Sequence, residues 1–511
     1  MVSEIKESES LPSQSQRADP QQSQSAAELK KVYVFFWHAY SSVMYSLYEI
    51  EVPKPLPPTP DEATQADEIK NPKKLFPVLQ LKTGQYPDGM SCVSWDSKLY
   101  FFGGEFNMDN PYIDEDVKKN FKASEREVFP RQLLTLDLDL DLSKVGASGD
   151  ELHKLLVYGE PMRNGKARPH AFVAEEKIYV IGSTIESSIS HRSKLTRIKN
   201  LESFKFFEVY DPIVGKWDDL PDPPIGNVKT RWVGHAIVGR VALLVAWQGG
   251  KERLYCFDLG ESRWTDATIP FYPENFSGST EFVEDTLYGC YHNTIAAIAP
   301  VGKKGKNRKI EKIEEKKVKA EQGEKLKEKE VKAEEGEKME EKKVEAEEGE
   351  KMEAEKVKAK ETVEAEEEEE DAKEFGQGWL RKNLHLHVLS DEMGMDAIFN
   401  VPPQLQSSSS LLHLGNRYFC YVKSGMPPNS DDSDDVIKDD KKRLISIVIF
   451  QALGKKYEDG TGLLQAQFLY SAHYEINSPV PNEGFIDGCF FPGSVYLSCP
   501  LVLFFIIYYL L

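Results

Sequence analysis

The chain has 511 residues and a formal net charge of −20, from 64 Lys and Arg against 84 Asp and Glu. That balance excludes a general nucleic-acid binder, which needs clustered cations for phosphate contacts. Hydrophobic residues make up 40% of the chain, enough for a sizeable core. Residues 311–370 hold 25 Glu against 15 Lys, so half of the net charge lies in one stretch.

Residues 1–29 are rich in Ser and Gln and read as a disordered tail without an apolar signal core. The apolar run Val32–Tyr48 is interrupted by His38, Ser41, Ser42 and Ser46, which favours paired strands over an anchor. Residues 53–74 form a Pro-rich, charged connector. The six cysteines, Cys92, Cys256, Cys290, Cys420, Cys489 and Cys499, form no CxxC pair and no metal knuckle. They fit a reducing compartment, the cytoplasm or the nucleus.

Most of the remainder is strand-and-turn chemistry. A hairpin unit recurs: a short apolar strand, a turn with a charge or Gly, and a second apolar strand. It starts at Ser91 (SCVSWDSKLYFFGGE), His170 (HAFVAEEKIYVIGS), His235 (HAIVGRVALLVAWQGG), Glu281 (EFVEDTLYGCY), Leu411 (LLHLGNRYFCYVKSG) and Gly488 (GCFFPGSVYLSC). Six such units, each extended by one or two strands, suit the four-stranded blades of an all-β propeller. Six blades are favoured and seven allowed. The N-terminal strands Val32–Trp37 and Tyr45–Val52 are expected to close the ring by pairing with the C-terminal unit.

Two units carry a sharper signature. Tyr210-Asp211 precedes Trp217, and Phe257-Asp258 precedes Trp264, each aromatic standing seven residues before its Trp. Gly103-Gly104 and Gly249-Gly250 follow second strands. This pattern resembles the kelch repeat, and the chain resembles plant kelch-repeat β-propeller proteins over roughly residues 30–500. The resemblance implies that the Gly pairs end the second strand and that the aromatic pair packs between blades. Only the unit from His235 has all three features. No F-box stretch is found in residues 1–90, so a ubiquitin-ligase adaptor role does not carry over directly.

Residues 303–373 are a low-complexity insert between the first part of the propeller, residues 30–302, and the last part, residues 374–499. A 13-residue unit repeats in it, marked by Val318, Val331, Val344 and Val357 and by Gly323, Gly336 and Gly349. Its apolar residues alternate at spacings of eight and five, which give no heptad seam. It reads as a solvated charged helix rather than a coiled coil. The apolar tail at 500–511 belongs to the uncharged run from Val495 to Leu511, read as a strand with an apolar end. A membrane tail anchor is the competing reading.

No catalytic site reads from the chain, and no metal or other cofactor. Kelch-type copper oxidases use a Tyr–Cys cross-link with His ligands, a set not distinguishable here from ordinary strand residues. His385 and His387 alternate in LHLHV, as do Asp137, Asp139 and Asp141 in TLDLDLDL, and both read as polar strand faces. His170 and His235 are expected at equivalent places with a shared structural role. The leading function is a protein–protein interaction scaffold. Alternatives are a ubiquitin-ligase adaptor and a propeller enzyme such as a metal oxidase. The expected binding face carries long connections between second and third strands: Glu105–Pro130, Ser183–Ser203, the charged insert, and Ser424–Lys442. Arg192, Lys194, Arg197 and Lys199 make one of them basic and are the candidate partner-binding residues.

Overall fold

The computed structural model describes residues 30–38, 41–53, 72–107, 110–123, 128–140, 155–184, 205–226, 228–265, 277–291, 294–300, 384–388, 390–391, 408–425, 442–456, 462–477 and 484–490. The architecture is all-β, in several antiparallel sheets. Strands β1 (Lys30–His38), β2 (Val43–Val52), β3 (Lys73–Lys74) and β4 (Pro77–Lys82) come first. Then follow β5 (Ser91–Trp95), β6 (Lys98–Phe102), helix α1 (Glu115–Ala123), β7 (Leu133–Asp137) and β8 (Val157–Tyr158). Strands β9 (Ala167–Ala174), β10 (Lys177–Ser183), β11 (Phe207–Asp211) and β12 (Lys216–Asp219) make the next sheet. After them run β13 (Thr230–Val238), β14 (Val241–Gln248), β15 (Lys251–Asp258), β16 (Arg263–Thr265), β17 (Ser277–Val283), β18 (Thr286–Tyr291), β19 (Thr294–Pro300), β20 (Leu384–Val388) and β21 (Ser390–Asp391). The last are β22 (Ser408–Gly415), β23 (Tyr418–Gly425), β24 (Lys442–Lys456), β25 (Gly462–Asn477) and β26 (Gly484–Phe490).

Pairing groups the described strands into six antiparallel four-stranded units. Unit 1 has the order β26-β1-β2-β4, and units 2 and 3 are β5–β8 and β9–β12. Units 4 and 5, β13–β16 and β17–β20, share one sheet because their first strands pair in parallel, Gly234 against Gly278. Unit 6 is β22–β25, with β21 and β3 added in parallel on the outer edge of β25. The N-terminal strand meets the C-terminal segment as expected: β26 pairs with β1, Cys489 opposite Val34. The C-terminal segment from Gly488 thus enters unit 1 as one strand, and the rest of the expected hairpin lies outside the described residues. First strands neighbour one another in the sequence β26, β5, β9, β13, β17, β22 and again β26.

The turns explain the hairpins. Asp96-Ser97, Glu175-Glu176 and Glu284-Asp285 are two-residue connections with both φ angles positive. That backbone matches the right-handed twist of the flanking strands. Alternation then sends each strand to two neighbours. In β6, Leu99 and Phe101 pack with unit 1, while Tyr100 and Phe102 pack with unit 3. A buried aromatic side chain of this kind contributes about 2 kcal/mol. Apolar clusters of the same sort lie between units 3 and 4, 4 and 5, 5 and 6, and 6 and 1.

Two expectations need correction. The charged insert does not join a second strand to a third. The run TIAAIAP forms β19, the third strand of unit 5, and the insert lies between β19 and β20. Because strands alternate in direction, a third-to-fourth connection leaves from the opposite end of the sheet. The long connection after β6, which joins a second strand to a third as expected, contains α1, with Glu115 and Asp116 in its first turn, where carboxylates favour the helix dipole. Finally, TLDLDLDL does not continue as a strand. Asp137 ends β7, and its carboxylate accepts the Asp139 N–H at 2.9 Å; Asp141 lies outside the described residues.

Candidate functional site

The repeat residues do what their pattern implies, with one exception. Tyr210 and Trp217 face each other across β11 and β12, with ring centroids 4.9 Å apart. Both reach unit 2: Trp217 packs edge-on against Phe102 at 5.8 Å, and Tyr210 lies 6.4 Å from Tyr100. Phe257 and Trp264 repeat the arrangement across β15 and β16, 5.0 Å apart, against Phe207 of unit 3. In each unit the indole N–H donates to a carbonyl just past the preceding unit's fourth strand. Trp217 reaches Glu160 O and Trp264 reaches Pro221 O, both at 2.8 Å.

Gly103 and Gly104 have φ of 57° and 91° and meet the linker to unit 3. A Cβ on Gly103 would come 2.9 Å from Lys166 O, and one on Gly104 would come 2.7 Å from Asp88 O. The Gly104 N–H donates to Lys166 O at 3.0 Å. Gly249 and Gly250 differ: with φ of 59° and 84° and open space around both, they serve only the β14–β15 hairpin turn.

The long connections after β6, β10 and β23 do join second to third strands and so leave from one end of their units. Arg192, Lys194, Arg197 and Lys199 lie outside the described residues, in the connection that departs after Thr184. Thr184 is held against unit 4: its N–H donates to Thr230 O at 3.0 Å, and its hydroxyl accepts the Thr230 N–H at 2.9 Å. Beside Thr230, Arg231, Trp247 and Glu252 stand in register across β13, β14 and β15. Trp247 is 48% exposed. It is a residue that the repeat pattern alone does not single out; setting WQGG beside the second-strand ends of the other units is the signal that exposes the mismatch.

His170 and His235 are not equivalent, contrary to expectation. His170 pairs with Ile181, the fifth residue of its second strand, whereas His235 pairs with Leu244, the fourth. A one-residue offset turns the two side chains to opposite sheet faces. His170 therefore points from unit 3 toward unit 4 and His235 points back, and they share a 2.9 Å hydrogen bond, Nε2 to Nδ1. Burial pulls the His170 pKa down to about 4 and that of His235 well below its ordinary value, with His170 adding to the latter. The pair is neutral and structural. His385 and His387 do lie on a strand, β20.

Other titratable groups sit inside the fold. Lys166 and Glu208 form a fully buried ion pair at 2.6 Å, and Glu208 also accepts the N–H groups of Arg163 and Asn164. Ser446 bonds His473 at 2.8 Å, but both are buried, and burial lowers the His473 pKa to about 4. This couple is a packed polar contact rather than an accessible nucleophile and base. Across β23, in register with Ser446, Lys423 is buried and its pKa falls to about 8. Glu281 is buried between units 5 and 6, where burial raises its pKa to about 7 against a hydrogen bond from the His413 backbone. Asp88 is raised to about 6 by burial, with Arg168 pulling it down and Glu105 pushing it up.

Cys92, Cys256, Cys290, Cys420 and Cys489 are buried thiols outside any disulfide. Among the described residues no group of three or more His, Cys, Asp or Glu is placed to hold a metal ion, and no helix is long and apolar enough to cross a membrane. No protein-family model matches the sequence, and no curated protein matches it.

Proposed function

We propose that the chain is a kelch-type β-propeller of six blades acting as a non-catalytic protein–protein interaction scaffold. The cyclic succession of first strands and the apolar cluster between each pair of successive units support the propeller. The aromatic-Asp and Trp pairs of units 3 and 4, each stapled to the preceding unit, support the kelch type.

The observation that carries the function is the shared end from which the connections after β6, β10 and β23 leave. Long connections on a rigid frame are where binding residues concentrate. The basic connection with Arg192, Lys194, Arg197 and Lys199 belongs to this end, and the Glu/Lys insert to the other. The test is a partner pull-down with the triple variant Arg192→Glu, Lys194→Glu, Arg197→Glu, read by mass spectrometry. The scaffold reading expects specific partners on the wild-type chain and their loss from a variant with unchanged circular dichroism. Unchanged recovery would remove this connection from the binding face.

A further inference from the structure

The connection after β6 is rooted in a pair of acids. Glu105, its first residue, lies opposite Asp88, three residues before β5, in an isolated antiparallel bridge. The Asp88 N–H donates to Glu105 O at 2.8 Å, and the Glu105 N–H donates to Asp88 O at 2.7 Å. Residues that exchange both bonds stand directly opposite each other, so their side chains leave the same face. Both acids are buried. The next amide, of Phe106, donates to Val128 O at 2.9 Å and closes the connection at its base.

One cation faces the pair. Arg168, at the start of β9, has a φ of 38°, in the left-handed region, where the pairing of β9 with β10 shifts register. An irregularity of this kind re-aims a side chain. The Arg168 stem lies over Gly89, where an added Cβ would come 3.1 Å from Arg168 Cγ. Arg168 Nε and Asp88 Oδ1 are buried without a hydrogen-bond partner among the described residues, so their attraction acts through space. The other groups that act on Asp88 are uncharged, the Trp37 indole of β1 and the Gly89 amide, and both favour its ionised form. Tyr45 of β2 holds the backbone on either side: its hydroxyl donates to Pro87 O at 3.2 Å and accepts the Met90 N–H at 2.8 Å.

Two carboxyls and one guanidinium leave an excess negative charge when both acids are ionised. Like charges set directly opposite each other in a buried pair destabilise it. One proton removes the excess, so closing the bridge and taking up a proton favour each other. Burial, against the pull of Arg168 and with the push of Glu105, raises the Asp88 pKa to about 6 from an ordinary 3.8. We propose that the Asp88–Glu105 bridge is a proton-operated clamp at the root of the connection after β6: it opens most readily while both carboxyls are charged and tightens when Asp88 takes up a proton. The clamp sets how firmly this connection is rooted and is independent of the scaffold reading.

Hydrogen exchange of the full chain over residues 86–106, corrected for intrinsic rates, tests the clamp between about pH 4 and about pH 8. Opening the bridge exposes Asp88 to water, where it ionises above its ordinary 3.8, so the closed form gains as pH falls through about 6. Protection of the Asp88 and Glu105 amides should be level above about pH 7 and rise about tenfold per pH unit from about 6 toward about 4. The sign is opposite to that expected for β9 beside the buried His170, so a general change in stability does not imitate it. Asp88→Asn should leave both amides without a pH step. Glu105→Gln, which removes the facing charge, should move the step to lower pH, and Arg168→Gln, which removes the attraction, should move it to higher pH. These two variants carry the test if Asp88→Asn does not fold. A level profile in the wild-type chain, a step that survives Asp88→Asn, or a step that Glu105→Gln and Arg168→Gln leave in place or move in the opposite directions would overturn the proposal.

Discussion

Units 3 and 4 hold their fourth strands differently from unit 6. In the first two the fourth strand is short, Lys216–Asp219 or Arg263–Thr265, and one Trp fixes it by aromatic packing and an indole hydrogen bond to the preceding unit. The strands of unit 6 contain no Trp. Its fourth strand runs from Gly462 to Asn477, pairs along the length of β24, and has β3 and β21 laid on its outer edge. In units 3 and 4 a side-chain staple holds the short outer strand, whereas in unit 6 the long one is secured by its own ladder and by the strands that cover its edge. The junctions differ in charge as well. Between units 3 and 4 lies a neutral His pair, and between units 5 and 6 lies Glu281.

The largest expected effect is at the staple. Trp217→Ala should destabilise the protein by about 3–5 kcal/mol, as expected for removing a buried indole. Trp217→Phe, which keeps an aromatic ring but loses the bond to Glu160 O, should cost about 1 kcal/mol for the hydrogen bond, beyond any loss of packing. Urea denaturation of both variants measures the split. Equal losses would mean that the indole N–H, not the ring packing, holds the strand.

Next is a contrast between the two glycine pairs. Gly103→Ala meets both a positive φ and Lys166 O at 2.9 Å, whereas Gly250→Ala meets only the φ strain, about 1 kcal/mol. Thermal denaturation should therefore show a larger fall for Gly103→Ala. The reverse order would break the distinction between a close approach and an open turn.

The pH dependence sharpens the comparison of junctions. The His170 pKa is about 4, below its ordinary 6.5, so the unfolded chain takes up its proton first as pH falls. Its contribution is present above 6.5 and lost between 6.5 and 4. Glu281 runs the other way. Its pKa of about 7 lies above the ordinary 4.5, so its contribution is full below 4.5 and fades as pH rises to 7. Hydrogen exchange corrected for intrinsic rates should show β9 and β13 losing protection toward about pH 5, and β17 and β22 losing it toward about pH 7. Parallel changes at both junctions would contradict this.

The smallest effect is expected at the edge of unit 6. Leu75→Pro removes the N–H that donates to Glu475 O at 2.9 Å and should cost about 1 kcal/mol, measured by urea denaturation.

Much of this order is legible in the residues. The hairpins, the Tyr210–Trp217 and Phe257–Trp264 pairs and the meeting of the termini follow from alternation, turn chemistry and the cost of open edges. What escapes needs counting or distance. The strand TIAAIAP is rich in Ala, weak in β-propensity, and ends in Pro, so a reading by apolar runs places the insert in the wrong connection. The His170–His235 contact turns on a single residue of register. The Lys166–Glu208 pair spans 42 residues, and no local pattern announces it. Trp247 is visible as a letter but becomes an exception only when each second strand is counted from its turn.

The most direct test of the proposed ring is a cross-link between β1 and β26. Val34 and Cys489 are register partners in β1 and β26, and such antiparallel partners lie within disulfide reach. In the full-length Val34→Cys variant, mild oxidation should join the introduced thiol to Cys489 with the circular dichroism unchanged, as shown by peptide mapping. If the introduced thiol and Cys489 remain separately alkylated under those conditions, β1 and β26 do not share a sheet and the proposed ring is wrong.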